Sequence, residues 1–207
     1  MLPRISPLAS LVVAAMFLAL APGAALANSS AYTDLDPELA GCETIASDIA
    51  GGTWKCEGYR DYPVYFKEGD LRASVFFGHV AQVLIEDGFE SFGPFNSTGK
   101  KIEWRLDDSG KPIAAILRYF VSDPETAANG GQVLVVSRVA QADDGLSCVV
   151  GYVDARSNDN ANELARRVAD QDAADFACGY TEAAWYGERG ALAAMTSSHL
   201  PESLRQE

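Results

Sequence analysis

The clearest pattern of apolar and polar positions lies between residues 101 and 154. Residues 101–106 alternate between apolar and charged side chains, which is typical of a strand with one buried face. Residues 113–121 are apolar on both faces, as in a central strand that is covered on both sides. Two further apolar runs, 133–139 and 146–154, flank a turn at Asp143-Asp144-Gly145. Together these segments predict a four-stranded antiparallel meander.

One amphipathic helix is predicted over residues 160–172. Its apolar residues recur at the i, i+3, i+4, i+7 and i+8 positions, as Ala161, Leu164, Ala165, Val168 and Ala169. Small alanine side chains on this face favour close packing on a sheet. Asn158, Asp159 or Asn160 can cap the helix, and Glu163 stands three residues after Asn160 as in a capping box.

The first half of the mature chain has weaker patterns. Residues 63–66 and 71–77 are β-rich and are separated by a polar turn, which predicts a hairpin. Residues 28–39 predict a loose arm, 41–50 a short helix, 80–85 either a strand or a helix, and 88–99 a glycine-rich loop. The complete prediction is an α+β fold: an antiparallel β-sheet of about six or seven strands, with one main amphipathic helix packed on one face.

Residues 1–27 have the features of a cleaved secretory signal peptide. Arg4 precedes an apolar run over 8–20, and Ala25-Leu26-Ala27 is an A-x-A cleavage site. The run is shorter than the roughly 20 residues that span a bilayer. We therefore expect a single domain over residues 28–190, a disordered tail over 191–207, and a periplasmic or secreted location. Residues 39–42 also spell a bacterial lipobox, so acylation of Cys42 is the alternative, although residues 28–38 separate it from the apolar run.

Four cysteines in an exported chain predict two disulfides. Three connectivities are possible, and we favour Cys42–Cys56 and Cys148–Cys178. Each of these pairs closes a short loop beside predicted regular structure.

Charge and missing motifs exclude several classes of function. The chain has 16 Lys and Arg against 29 Asp and Glu, a formal net charge of −13. Such a chain repels polyanions, so we expect neither nucleic acid nor an anionic membrane surface as a partner. No phosphate-binding loop, dinucleotide fingerprint, nucleophile elbow or zinc-binding helix motif occurs. We therefore predict no catalytic residue, no metal and no cofactor; His79 is interpreted as a strand-end or loop residue, and residues 154–160 as a strand-to-helix turn.

Two arginines interrupt the predicted central strands. Arg118 and Arg138 are each ten residues from the middle of the connecting loop, so a symmetric hairpin places them opposite or diagonal on one face. Like charges in that position require compensation. A protein carboxylate is the favoured compensator because unpaired buried charge is costly. An anionic ligand bound by both guanidiniums is the alternative.

Three aromatic residues in the predicted loop, Phe89, Phe92 and Phe95, form the other candidate site. Exposed phenylalanine clusters mark surfaces for partners or ligands. Large apolar residues more often lie inside, so cover for one face of the sheet is the favoured interpretation.

Several segments resemble a family of small exported proteins of alphaproteobacteria: residues 54–59, residues 63–77, Pro94-Phe95-Asn96-Ser97, residues 151–156 and Cys178-Gly179. The resemblance implies a periplasmic setting and transfers no activity. We expect an exported binding or interaction protein without catalytic activity, whose partner is a protein or a small molecule. The alternative is a periplasmic hydrolase that uses Asp and Glu carboxylates, which need no sequence motif.

Overall fold

The computed structural model describes residues 28–126, 129–191, 193 and 195–205. The predicted signal peptide lies outside these residues. Within them, ten strands form one sheet curled into a half-barrel, and two further strands form a small separate sheet. The elements are β1 (Ser29–Asp34), β2 (Glu43–Asp48), β3 (Gly51–Tyr59), β4 (Tyr62–Gly69), β5 (Arg72–Gly78), α1 (Gln82–Asp87), β6 (Phe89–Phe92), β7 (Asn96–Leu106), β8 (Pro112–Ser122), β9 (Asn129–Ala140), β10 (Val149–Asp154), α2 (Ala161–Asp172), β11 (Ala184–Tyr186) and β12 (Thr196–His199).

The large sheet is mostly antiparallel and has the strand order β1-β7-β8-β9-β5-β4-β3-β2. Strand β10 also pairs with β9, and β11 pairs with β10. The predicted meander is confirmed as β7 to β10, and the predicted hairpin as β4 and β5. Two pairings are parallel, β5 with β9 and β10 with β11. The predicted count of six or seven strands is wrong, because pairing extends into segments without an apolar pattern.

For four of those segments, the element predicted from the sequence differs from the one in the structure. The predicted arm contains β1, which pairs with β7 from Ser29 opposite Leu106 to Asp34 opposite Lys101. The predicted short helix is strand β2, whose residues are all exposed. The predicted glycine-rich loop contains β6, and the predicted disordered tail contains β12, which pairs with it. In each case the partner strand provides backbone hydrogen bonds that local sequence does not reveal.

Helix α2 is confirmed on one face of the sheet. Its buried residues are Ala161, Ala165, Val168 and Ala169, and they pack on apolar side chains of β8, β9 and β10. Asn160 precedes the helix but makes no side-chain capping hydrogen bond, so that detail of the prediction is wrong. The opposite face of the sheet encloses a larger core around Trp104 and Phe77, inside the curl.

A buried ionic network also connects α2 to the sheet. Arg105 of β7 donates two hydrogen bonds to the Asp170 carboxylate, at 2.8 and 2.7 Å, and a third to the backbone oxygen of Asn28 at 2.6 Å. Beside it, Arg166 donates to Glu103 at 2.6 Å. Burial alone would raise the pKa of Glu103, but the hydrogen bonds from Arg166 and Ser30 hold it below its ordinary value. Glu103 and Arg105 on the polar face of β7 therefore contact α2 and β1 rather than solvent, whereas Lys101 on the same face is exposed.

Both predicted disulfides are confirmed. Cys42–Cys56 connects the turn before β2 to β3, and Cys148–Cys178 connects the start of β10 to the segment after α2. Among the described residues, no helix combines the length and the apolar character needed to cross a membrane.

Candidate functional site

A cavity of about 510 Å³ opens beside β6, β10 and β12 and the segment that follows the Cys148–Cys178 disulfide. Its volume is within the range of roughly 300 to 1,000 Å³ that small-molecule sites occupy. The side chains that define its chemistry belong to Glu90, Tyr152, Tyr180, Glu182, Thr196 and Ser198.

Glu90 is the buried acid of this cavity, with only 6% of its surface exposed. One carboxyl oxygen, Oε2, accepts a hydrogen bond from the backbone N–H of Val149 at 2.8 Å. The other, Oε1, accepts a hydrogen bond from the Ser198 hydroxyl at 3.0 Å. The backbone N–H of Glu90 donates to Ser74 Oγ at 2.9 Å. Strands β10 and β12 thus hold the Glu90 side chain in one position, and β5 holds its backbone.

Burial dominates the electrostatics of the cavity. It raises the pKa of Glu90 to about 7, although the hydrogen bonds from Val149 and Ser198 act in the opposite direction. Burial likewise raises the pKa of Tyr119 and of Tyr152 well above the ordinary value of 10, with a contribution from the nearby Glu90 charge. Glu90 therefore changes protonation near neutral pH, whereas the two phenols stay protonated.

Aromatic packing forms the wall behind Glu90. Phe92 contacts Tyr119 and Tyr152 edge-on, with ring centroids 5.5 and 5.7 Å apart. Tyr152 in turn stacks on Trp185 at 5.2 Å, and its hydroxyl hydrogen-bonds the side chain of Thr196. Such offset and edge-to-face contacts restrict ring movement, so the wall is preformed.

Carboxyl and hydroxyl groups dominate the polar lining of the cavity. Glu90 and Glu182 supply carboxyl groups, and Thr196 and Ser198 supply hydroxyl groups. No Lys, Arg or His is among the described residues that line it. The arrangement is suited to groups that donate hydrogen bonds or carry positive charge.

The structure separates the two arginines that sequence symmetry brought together. Arg118 is opposite Leu134 and Arg138 is opposite Ala114, so they share a sheet face but lie four residues apart along the strands, roughly 13 Å. The prediction that they lie within reach of each other is wrong, because the β8–β9 connection is not symmetric about residue 128.

Their compensating groups also differ. Arg138 donates to the Asp144 carboxylate at 2.5 Å, as the favoured interpretation required. Arg118 donates only to amide oxygens in the described part of the chain, those of Gln132 at 3.2 Å and Asn162 at 3.4 Å. Anion binding at Arg118 stays a prediction.

The three phenylalanines do not form one surface. Phe92 is 1% exposed and belongs to the core inside the curl, so for this residue the covering interpretation is confirmed. Phe89 is partly buried, and Phe95 is 44% exposed beneath the Arg72 guanidinium, which lies 4.9 Å from its ring centroid. A partner surface made of all three rings is therefore wrong.

The other polar candidates contact neighbouring side chains and backbone groups. His79 follows β5, contacts the Tyr62 ring at 4.7 Å, and lies 3.5 Å from Asp61. Asp154 accepts hydrogen bonds from Arg156, Ser157 and Gly190, as expected of a strand-to-helix turn. The described residues contain no group of His, Cys, Asp and Glu side chains that could hold a metal ion.

Sequence reasoning missed the cavity itself. Glu90 stands between phenylalanines in a segment assigned to a loop, and Thr196 and Ser198 lie in a segment assigned to a disordered tail. The one available signal was the position of an acidic residue inside the aromatic run 89–95. Its burial depends on β12, which is more than 100 residues away in sequence.

Comparisons of the chain with protein-family models, with curated proteins and with solved structures give no match. Function is therefore inferred from the geometry and chemistry of the Glu90 cavity.

Proposed function

We propose that the protein is an exported binding protein without catalytic activity, and that its ligand is a small molecule held in the Glu90 cavity. The observation that carries the proposal is a preformed cavity with a buried carboxyl group and two hydroxyl-bearing side chains directed to it. A concave, preformed site with a few fixed polar groups is the usual form of a small-molecule site.

Export is supported by the two disulfides and by the predicted signal peptide. Disulfides persist in oxidising compartments and are rare in the cytosol. A periplasmic setting also agrees with the resemblance to small exported alphaproteobacterial proteins, which stays a prediction.

The test is a fragment screen by protein-observed NMR on the mature, disulfide-bonded protein. We expect hits to shift the amides of Val149, Tyr152 and Ser198, which surround the Glu90 carboxyl. Thr181→Trp, a change at an exposed position on the cavity lining, should abolish these shifts and leave the rest of the spectrum unchanged. If the hits fall elsewhere, or persist unchanged in Thr181→Trp, the cavity is not the ligand site.

A second candidate is a hydrolase that uses carboxyl groups. It is favoured by one observation: Glu90, with its pKa near neutrality, shares the cavity with Glu182. An acid of that pKa is suited to general acid catalysis at neutral pH. Chromogenic glycoside, ester and amide substrates would test it. Hydrolysis that disappears in Glu90→Gln would replace the binding proposal with this one.

A further inference from the structure

The structural contacts of Glu90 do not require a carboxyl group. A glutamine at this position could accept the same hydrogen bond from the Val149 N–H and keep contact with the Ser198 hydroxyl. It would do so without the cost that burial imposes on an ionised carboxylate. A residue that lowers stability where a neutral isostere would serve is characteristic of functional sites.

No cation lines the cavity among the described residues, and the other acid on its lining, Glu182, adds negative charge. From the described part of the chain each Glu90 oxygen accepts one hydrogen bond, from Val149 or Ser198, whereas a carboxylate has about four acceptor sites. Acceptor capacity and a countercharge are thus both left for a ligand to provide.

We infer that the Glu90 cavity binds the primary ammonium group of a small organic cation. The inference rests on the proposed function, in which this cavity is the ligand site, and it adds the chemical class of the ligand. An ammonium group has three N–H donors, which match the Glu90 carboxylate and the hydroxyl oxygens of Ser198 and Thr196. A quaternary ammonium group carries the same charge but donates no hydrogen bond.

The cavity also discriminates by shape and by overall charge. Tyr152 and Tyr180 present aromatic surface to an alkyl chain attached to the ammonium group. The net charge of −13 attracts cations towards the protein and repels anionic competitors.

Binding of a cation is coupled to the release of a proton from Glu90. With its pKa of about 7, Glu90 is partly protonated at neutral pH, and an ammonium ligand requires the ionised form. The groups facing it are Tyr119 from β8, Tyr152 from β10, and Glu182 and Tyr180 from the segment after the disulfide. His199 follows Ser198 on β12 but is exposed and does not line the cavity. We therefore expect binding to release a proton and to weaken as the pH falls.

The experiment uses three probes of the same chain length on the mature protein: n-butylamine, butan-1-ol and butyltrimethylammonium. NMR titrations at pH 8 should give saturable shifts at the cavity amides with n-butylamine, and at least tenfold weaker ones with the other two. Affinity for n-butylamine should fall about tenfold between pH 8 and pH 6, because protonation of Glu90 competes with the ligand.

Two variants test whether the Glu90 carboxyl group is responsible for n-butylamine binding and for its pH dependence. Glu90→Gln should weaken n-butylamine binding at least tenfold and abolish its pH dependence. Glu57→Gln removes an equal charge at an exposed position outside the cavity and should change neither.

Each failure has a distinct meaning. If butan-1-ol binds as tightly as n-butylamine, or Glu90→Gln binds n-butylamine as wild type does, the ammonium inference is overturned while the cavity remains a ligand site. If butyltrimethylammonium binds equally well, the site recognises charge alone, and the primary ammonium assignment is wrong. If no probe shifts the cavity amides and the fragment screen also finds no hit there, the proposed function fails as well.

Discussion

Replacing Glu90 by glutamine should change how the stability of the protein depends on pH. The folded protein holds the pKa of Glu90 at about 7, whereas the ordinary value is 4.5. Because the folded value is raised, the unfolded chain releases this proton first as the pH increases. The stabilising contribution of Glu90 protonation to the free energy of unfolding is complete below pH 4.5 and is lost as the pH rises through 7. Wild type should therefore lose stability between pH 5 and pH 8, and Glu90→Gln should lack this component.

The magnitude follows from the difference between the two pKa values. One pKa unit corresponds to about 1.4 kcal/mol, so wild type should lose about 2 to 3 kcal/mol more than Glu90→Gln between pH 5 and pH 8. Urea unfolding of both proteins, followed by tryptophan fluorescence without reductant, measures this difference. All other titrating groups are common to both proteins and cancel in the comparison. Parallel stability curves for the two proteins would refute the burial of an ionisable carboxyl at this site.

Two further predictions concern the contacts that hold α2. Arg105→Met leaves Asp170 without its bidentate partner and should cost about 3 kcal/mol, whereas Lys101→Met, at an exposed ion pair, should cost less than about 1 kcal/mol. Val168→Ala should cost about 2 kcal/mol because it opens a cavity between helix and sheet, and exposed Arg167→Ala should change stability by no more than about 0.5 kcal/mol. Urea unfolding measures all four, and equal losses within either pair would contradict the assigned packing.

The elements that sequence predicts well are those whose burial is regular. The strands from β7 to β10 and the helix α2 each have an apolar pattern that matches their final environment, so local pattern and tertiary packing agree. The disulfides follow because each pair of cysteines closes a short segment next to such an element. In these regions the sequence carries both the element type and the buried face.

The elements that sequence predicts poorly depend on a distant partner. Strand β1 has a mostly polar sequence, yet it pairs with β7, and its Ser30 hydroxyl accepts a hydrogen bond from the buried Arg105. The predicted helix over 41–50 has Ile45 and Ile49 at helical spacing. In the structure Ile45 lies in β2, Ile49 follows that strand, and both are exposed, so the spacing has no packing role. Strand β12 contains no apolar residue at all. Edge strands need only backbone pairing, which leaves no hydrophobic period in the sequence.

The same dependence on distant partners explains why the candidate site could not be predicted from the sequence. Its polar groups come from β6, β10 and β12, and the Cys148–Cys178 disulfide fixes the segment that completes the lining. Glu90 belongs neither to the core inside the curl nor to the α2 interface, although Val149 and Tyr152 of the cavity lining are part of the core inside the curl. Glu90 can therefore be changed to glutamine without removing the packing that stabilises the domain. This separation makes the site testable: a variant that gains stability at high pH and loses ammonium binding would link both effects to one carboxyl group.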